Sequence, residues 1–102
     1  MNQKLNPISP GEMLEKKFLK PLGLTNYLLA KEIILPSQKI GEIIKGKRAI
    51  TADTDLRLCN FFGLSEGWWL RLQADYDTAI AKNALSKTLV KIKPYQHLEK
   101  TI

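Results

Sequence analysis

Helix punctuation runs along most of this sequence and leaves room for little else. Ser9-Pro10-Gly11-Glu12 has the spacing of a capping box. A serine hydroxyl there can take a free amide of the first turn, and a glutamate three residues on can reach back. Pro10 then falls at the first helical position, where its missing N–H costs nothing. Thr25, Thr51 and Ser65 supply further N-caps, and Gly46 and Gly63 supply stops that favour a left-handed residue. No stretch between these signals has the length and alternation of a β-strand, and no repeat is present. The spacing therefore predicts an all-α chain.

Met13, Leu14, Phe18 and Leu19 form the apolar stripe of the first helix, which Pro21 with Gly23 is expected to end. After Thr25, the second helix is expected to bury Tyr27, Leu28, Leu29, Ala30 and Ile33. It is short because Pro36 disfavours a helical conformation for the residue before it. The third helix runs from Pro36 or Ser37 to Lys45. Ile40, Ile43 and Ile44 share its inner face, and Gln38, Lys39, Gly41, Glu42 and Lys45 turn outward. Following the loop Gly46–Ile50, a fourth helix is expected to bury Ala52, Leu56, Cys59 and Phe62, with Leu58 and Phe61 beside them. A fifth carries Trp68, Trp69, Leu72, Tyr76, Ala79 and Ile80. Beyond Asn83 the pattern weakens: Leu85, Leu89 and Ile92 suit a short further helix, and the chain from Pro94 reads as a loose tail. Three parts are expected: an arm over 1–8, a compact five-helix domain over 9–82 and an extension over 83–102.

Composition narrows the function classes. The 102 residues support one domain, and so small a core has little room for a large catalytic cleft. Cys59 is the only cysteine, which excludes an internal disulfide, and no Cys/His cluster has zinc-site spacing. Apolar runs of three to four residues fall far short of a membrane span, and Met1–Pro7 lacks the apolar core of a secretory signal. A soluble cytoplasmic protein without a cofactor is expected. The net charge of +6 is unevenly spread. Residues 31–50 carry Lys31, Lys39, Lys45, Lys47 and Arg48 against Glu32 and Glu42, and residues 81–102 are rich in lysine. Residues 51–80 are net acidic. Such zoning suits a polyanion on one face and another partner elsewhere.

Two short helices joined by a tight turn, the second with a polar and basic face, make a helix-turn-helix. Its second helix fits the major groove of DNA, and exposed side chains near its N-terminus meet base edges. Lys39 can donate to guanine and Gln38 can pair with adenine, while Lys45, Lys47 and Arg48 are placed to neutralise phosphates. Thr25-Asn26 and Ser37-Gln38, at two helix starts, would aim free amides at the backbone. Glu42 faces outward on the same helix, where it can accept from a cytosine amine or hold a neighbouring lysine.

The runs PGEMLEKKFLKPLGLT (Pro10 to Thr25), IIKGKRAITADTDLRLCNFFG (Ile43 to Gly63) and WWLRLQADYD (Trp68 to Asp77), in that order, closely resemble the HigA/VapI antitoxins. These are lambda-repressor-like (Cro/repressor, XRE-type) helix-turn-helix proteins of bacterial type II toxin–antitoxin modules. The resemblance spans Ser9 to Ala81. It implies a homodimer that represses its own operon at a palindromic operator on double-stranded DNA and inhibits a HigB-type ribonuclease toxin. Two positions depart from the pattern. Gly41 stands where related sequences often have Asn or another hydrogen-bonding residue, and Ile34 replaces the small residue expected at the turn. A β-branched residue resists positive φ, so an unusual turn or a longer second helix is expected.

Trp69 is expected in the core, and Trp68, Tyr76, Ile80, Leu85 and Leu89 at a dimer or partner surface. Cys59 reads as a small core residue and His97 as solvated. Asp53 and Asp55 lie in the first turn of the fourth helix, where negative charge complements the helix dipole. Competing readings are a free-standing phage-type repressor without a toxin and a protein-binding adaptor that has lost DNA affinity. An enzyme is disfavoured by the lack of a nucleophile–base pair, a glycine-rich phosphate loop or a metal-ligand set.

Overall fold

A computed structural model describes residues 7–96. Helix α1 starts where the cap spacing puts it, with the Ser9 Oγ accepting the Glu12 amide at 3.2 Å and Pro10 in the first turn. The reciprocal half of the box is not made, because the Glu12 carboxylate accepts from Lys16 at 3.1 Å instead. α1 is α-helical over Pro10–Met13, widens to i−5 hydrogen bonding over Leu14–Leu19, and is α-helical again over Lys20–Leu22. Pro21, expected to help end this helix, lies inside it. In a regular helix its ring would collide with the carbonyl four residues back. The widened turn just before it, in which the Lys20 amide bonds the Glu15 carbonyl, removes that register. Gly23 at φ 68° is the stop.

Then come α2 (Asn26–Ile33), α3 (Ser37–Ile44), α4 (Ala52–Phe62), α5 (Trp68–Ala84) and the one-turn α6 (Ser86–Leu89). The fold is all-α with five principal helices, and no strand occurs among the described residues. The boundary expected at residue 82 falls within the last turn of α5. Leu14 and Leu19 of α1, Leu29 and Ile33 of α2, Ile40 and Ile43 of α3, Leu58 and Cys59 of α4 and Trp69 of α5 make one core. The rings of Phe18, Phe62, Trp68 and Trp69 cluster at its edge, with Phe18 and Phe62 centroids 4.8 Å apart.

Two helix faces are rotated from expectation. Tyr27 and Leu28 face outward from α2, whose buried side is Leu29, Ala30 and Ile33. On α4, Ala52 and Leu56 are exposed and Phe61 is 39% exposed, while Thr54, Asp55, Leu58 and Cys59 turn inward. The cause is Asp55. Ser65 does not cap α5, which starts after Gly67 at φ 89°. The Asp55 carboxylate caps it from across the core, accepting the amides of Gly67 (2.8 Å), Trp69 (2.8 Å) and Leu70 (3.1 Å) and the Cys59 thiol (3.4 Å). Burial alone would raise the pKa of Asp55. The hydrogen bonds from Gly67, Leu70, Cys59 and Trp69 together outweigh it and hold the carboxyl below its usual value. Asp55 is therefore the tie between α4 and α5, a larger role than balancing the dipole of its own helix.

Gly11 fixes how α1 meets α3. A Cβ there would collide with the Ile43 carbonyl and lie 2.8 Å from Ile44 Cα, so only glycine lets the two backbones touch. Of the tail expected after Pro94, only Tyr95 and Gln96 are described, and both are helical. His97 and most of the 1–8 arm lie outside the described residues. No described helix is long and apolar enough to cross a membrane.

Candidate nucleic-acid interface

α2 and α3 pack through Leu29, Ala30, Ile33, Ile40 and Ile43, and three residues separate them. The turn between them follows neither course expected of it. α2 is not lengthened, and Ile34 itself adopts the left-handed conformation, φ 62° and ψ 52°, with its side chain 80% exposed. It is the one non-glycine residue with positive φ among the described residues. A left-handed L-residue costs roughly 1–2 kcal/mol, so something must hold the turn. Arg57 of α4 does: its Nη1 donates to the Ile33 carbonyl at 2.9 Å and the Ile34 carbonyl at 2.8 Å, and its Nε to Asp53. The Leu35 amide closes back on the Ala30 carbonyl at 2.9 Å. The hydrogen bond from Arg57 holds the Asp53 carboxyl below its usual pKa, and the charges of Arg57 and Lys39 act in the same direction.

Pro36, at the N-cap of α3, has no side-chain acceptor, so the amides of the exposed Ser37 and Gln38 stay uncapped while that of Lys39 bonds the Pro36 carbonyl at 3.0 Å. On its outer face the structure brings three candidate residues together. Glu42 Oε1 accepts from Arg48 Nε and Nη2, each at 2.8 Å, and Oε2 accepts from Gln38 Nε2 at 3.3 Å. Of the two roles open to Glu42, the charge it holds is therefore an arginine rather than a lysine. The hydrogen bond from Arg48 is the main cause of its lowered pKa, against a smaller cost of desolvation. Lys45 and Lys47 border the same recess, which Gly41 also lines, and Lys39 is half-buried beside Pro36. Gly46 at φ 77° turns the chain out of α3, and the Lys47 amide bonds back to the Glu42 carbonyl. Thr25 is engaged locally, its hydroxyl capping the Leu28 amide at 3.0 Å, and Asn26 is exposed in the first turn of α2.

The residues expected at a partner surface divide. Trp68 is half-buried in the aromatic cluster, its ring edge-on to Phe18 and Trp69. Tyr76 is half-buried in a cleft that also touches Pro10, Gly11 and Lys45. Ile80, Leu85 and Leu89 are exposed, and Val90 and Ile92 extend this apolar run. Sequence reasoning missed Arg57, whose interaction with a turn 23 residues away leaves no local signature.

Residues 16–69 match the helix-turn-helix family. The chain is 44% identical over 75 residues to virulence-associated protein I of Dichelobacter nodosus, covering 74% of this chain and 69% of that protein. A solved structure described as an addiction module antidote protein of the HigA family, from Coxiella burnetii, superposes with a TM-score of 0.83 at 38% identity. It covers 89% of this chain and all of the other (100%). This chain belongs to the HigA/VapI family of helix-turn-helix antitoxins. A second member of known structure is the Pseudomonas aeruginosa antitoxin HigA with the higBA promoter (TM-score 0.81, 32% identity, 87% of this chain and 98% of that one). The family is one of DNA-binding regulators and not of enzymes.

Proposed function

We propose that this chain is the antitoxin of a type II toxin–antitoxin module: a homodimeric autorepressor that binds a palindromic operator in its own promoter and also inhibits a HigB-type ribonuclease. The observation that carries the DNA half is the outer face of α3. There an uncapped helix start, Gln38 and Glu42 on the second helix of a helix-turn-helix, and Lys45 and Arg48 just beyond its end, stand exposed or half-exposed. On this reading α3 lies in the major groove, with Gln38 and Lys39 at base edges and Lys45, Lys47 and Arg48 on phosphates. Thr25, Asn26 and Ser37 flank the same groove at the two helix starts. The Pseudomonas relative seen with its promoter supports this.

A single such domain reaches one groove, so sequence-specific binding calls for two copies spanning half-sites about one helical turn apart. Ile80 near the end of α5, with Leu85 and Leu89 of the C-terminal extension, all exposed, would pair the copies. The toxin is held by protein–protein contact alone, without chemistry, in the bacterial cytoplasm. The test is a DNase footprint over the DNA upstream of the gene, combined with co-purification of a neighbouring small basic protein. Two symmetric protected half-sites and a stoichiometric partner are expected. A featureless footprint overturns the repressor assignment. A clean footprint without a toxin makes the chain a free-standing repressor.

A further inference from the structure

Glu42 is an anion in the middle of a surface proposed to meet a polyanion. Both of its oxygens are occupied by groups that the proposed function assigns to DNA: Arg48 on one and Gln38 on the other. With Nε and Nη2 on Glu42, Arg48 keeps only its outer Nη1 and Nη2 hydrogens for a DNA phosphate, and the carboxylate offsets the charge it would bring there. Lys45 and Lys47 lie alongside and make no salt bridge among the described residues, so they can reach phosphate whatever Glu42 does. Gly41 adds the other half of the geometry. A Cβ at that position would find nothing within 4 Å, so the helix presents an open recess directly beside the Glu42 carboxylate. A base edge can approach the carboxylate closely there.

We infer that Glu42 is a specificity-determining residue that exchanges partners: it sequesters Arg48 and Gln38 in the free protein and releases them when a cytosine amino group takes their place. This rests on the reading that α3 enters the major groove. A carboxylate in that groove is repelled by the flanking phosphates and is desolvated, and the cytosine N4 amine is the base-edge donor to which a carboxylate is fitted. On a sequence without a cytosine at this position, Glu42 has no donor to replace Arg48 and Gln38. It keeps them, and the protein binds with one cation fewer. On the operator the amine satisfies the carboxylate, Arg48 passes to a phosphate and Gln38 to its base. Affinity for random DNA is thereby held down without weakening the operator complex.

The experiment compares Glu42→Ala and Glu42→Gln with the parent on an operator duplex and a scrambled duplex by fluorescence anisotropy across a salt series. Thermal melts verify that the variants stay folded. Freed Arg48 is expected to tighten Glu42→Ala on the scrambled duplex by about five- to tenfold near 0.1 M salt and to steepen its salt slope by about 0.9, the worth of one neutralised phosphate. The gain should vanish in the Glu42→Ala/Arg48→Ala double variant. Glu42→Gln is expected to shift the same way, because it removes the charge that holds Arg48. Replacing each C·G pair of the operator in turn by T·A should reveal one position where the parent weakens about tenfold or more and Glu42→Ala does not. Equal changes on both duplexes, or a scrambled-duplex gain that survives Arg48→Ala, overturn the inference. If the parent itself fails to discriminate between the duplexes, it is the operator reading that has failed. The scrambled-duplex slope and its dependence on Arg48 then still decide whether Glu42 sequesters the arginine.

Discussion

Replacing Asp55 by alanine leaves three backbone amides at the start of α5, those of Gly67, Trp69 and Leu70, without their shared acceptor. Asp55 is 1% exposed and Trp69 is fully buried, with Gly67 and Leu70 half-buried beside them. A hydrogen bond to a charged group contributes about 1.5–3 kcal/mol, and a buried donor left unpaired costs about 1–3 kcal/mol. The three bonds share one carboxylate and do not add independently, so the expected loss is about 3–5 kcal/mol, the range for breaking a buried charged network. That is a large part of the 5–15 kcal/mol typical of a whole domain, and it would lower Tm by roughly 15–30 °C. Asp55→Asn should lie between. Its oxygen can still serve Trp69 and Leu70, but its NH2 would face the Gly67 amide, donor against donor. Urea and thermal unfolding followed by circular dichroism give both values. The pH dependence has a fixed sign: a carboxyl whose folded pKa is depressed contributes its full stability above the ordinary value of 3.8 and loses it as pH falls through the folded pKa. Asp55→Asn should flatten that acid limb. An Asp55→Ala variant within about 1 kcal/mol of the parent would refute the capping role.

Gly11→Ala should destabilise the protein severely, since the new methyl would meet the Ile43 and Ile44 backbone, which cannot give way; loss of cooperative melting at ordinary temperature is expected. Ile34→Gly should raise stability by about 0.5–1 kcal/mol, the left-handed penalty less the added freedom of the unfolded chain. The side chain is largely solvent-exposed, so little packing is lost, and chemical denaturation reads the difference. Arg57→Met should release the turn carbonyls and cost about 1–3 kcal/mol. It should also weaken operator binding in anisotropy although the residue is assigned no contact with DNA. Lys47→Ala should lower affinity for operator and scrambled duplexes alike and reduce the salt slope by about 0.9.

The helix starts were legible in the sequence because caps are local. Ser9, Thr25 and Thr51 each accept the amide three residues on, as their spacing implied. The outer face of α3 was equally legible, because its isoleucines leave only one side for Gln38, Glu42 and Lys45. What escaped was long-range or rested on backbone geometry. Nothing near Asp55 in sequence announces that it caps a helix 12 residues later, and that task turns α4 so that Leu56 faces out. Pro21 reads as a stop unless the wide turn before it is known. At Ile34 a local rule was right about the strain and wrong about its resolution, because the compensating donor comes from Arg57 on another helix.

The most direct test of the central claim, that α3 reads an operator in this chain's own promoter, is fluorescence anisotropy of the purified protein with the DNA upstream of its gene against a scrambled duplex, over a salt series. The account requires the promoter to bind at least about a hundredfold tighter, ~2.7 kcal/mol, with the preference lost in the Gln38→Ala/Lys39→Ala variant. Equal affinities for the two duplexes, falling equally steeply with salt, would mean that only phosphates are being read and would contradict it.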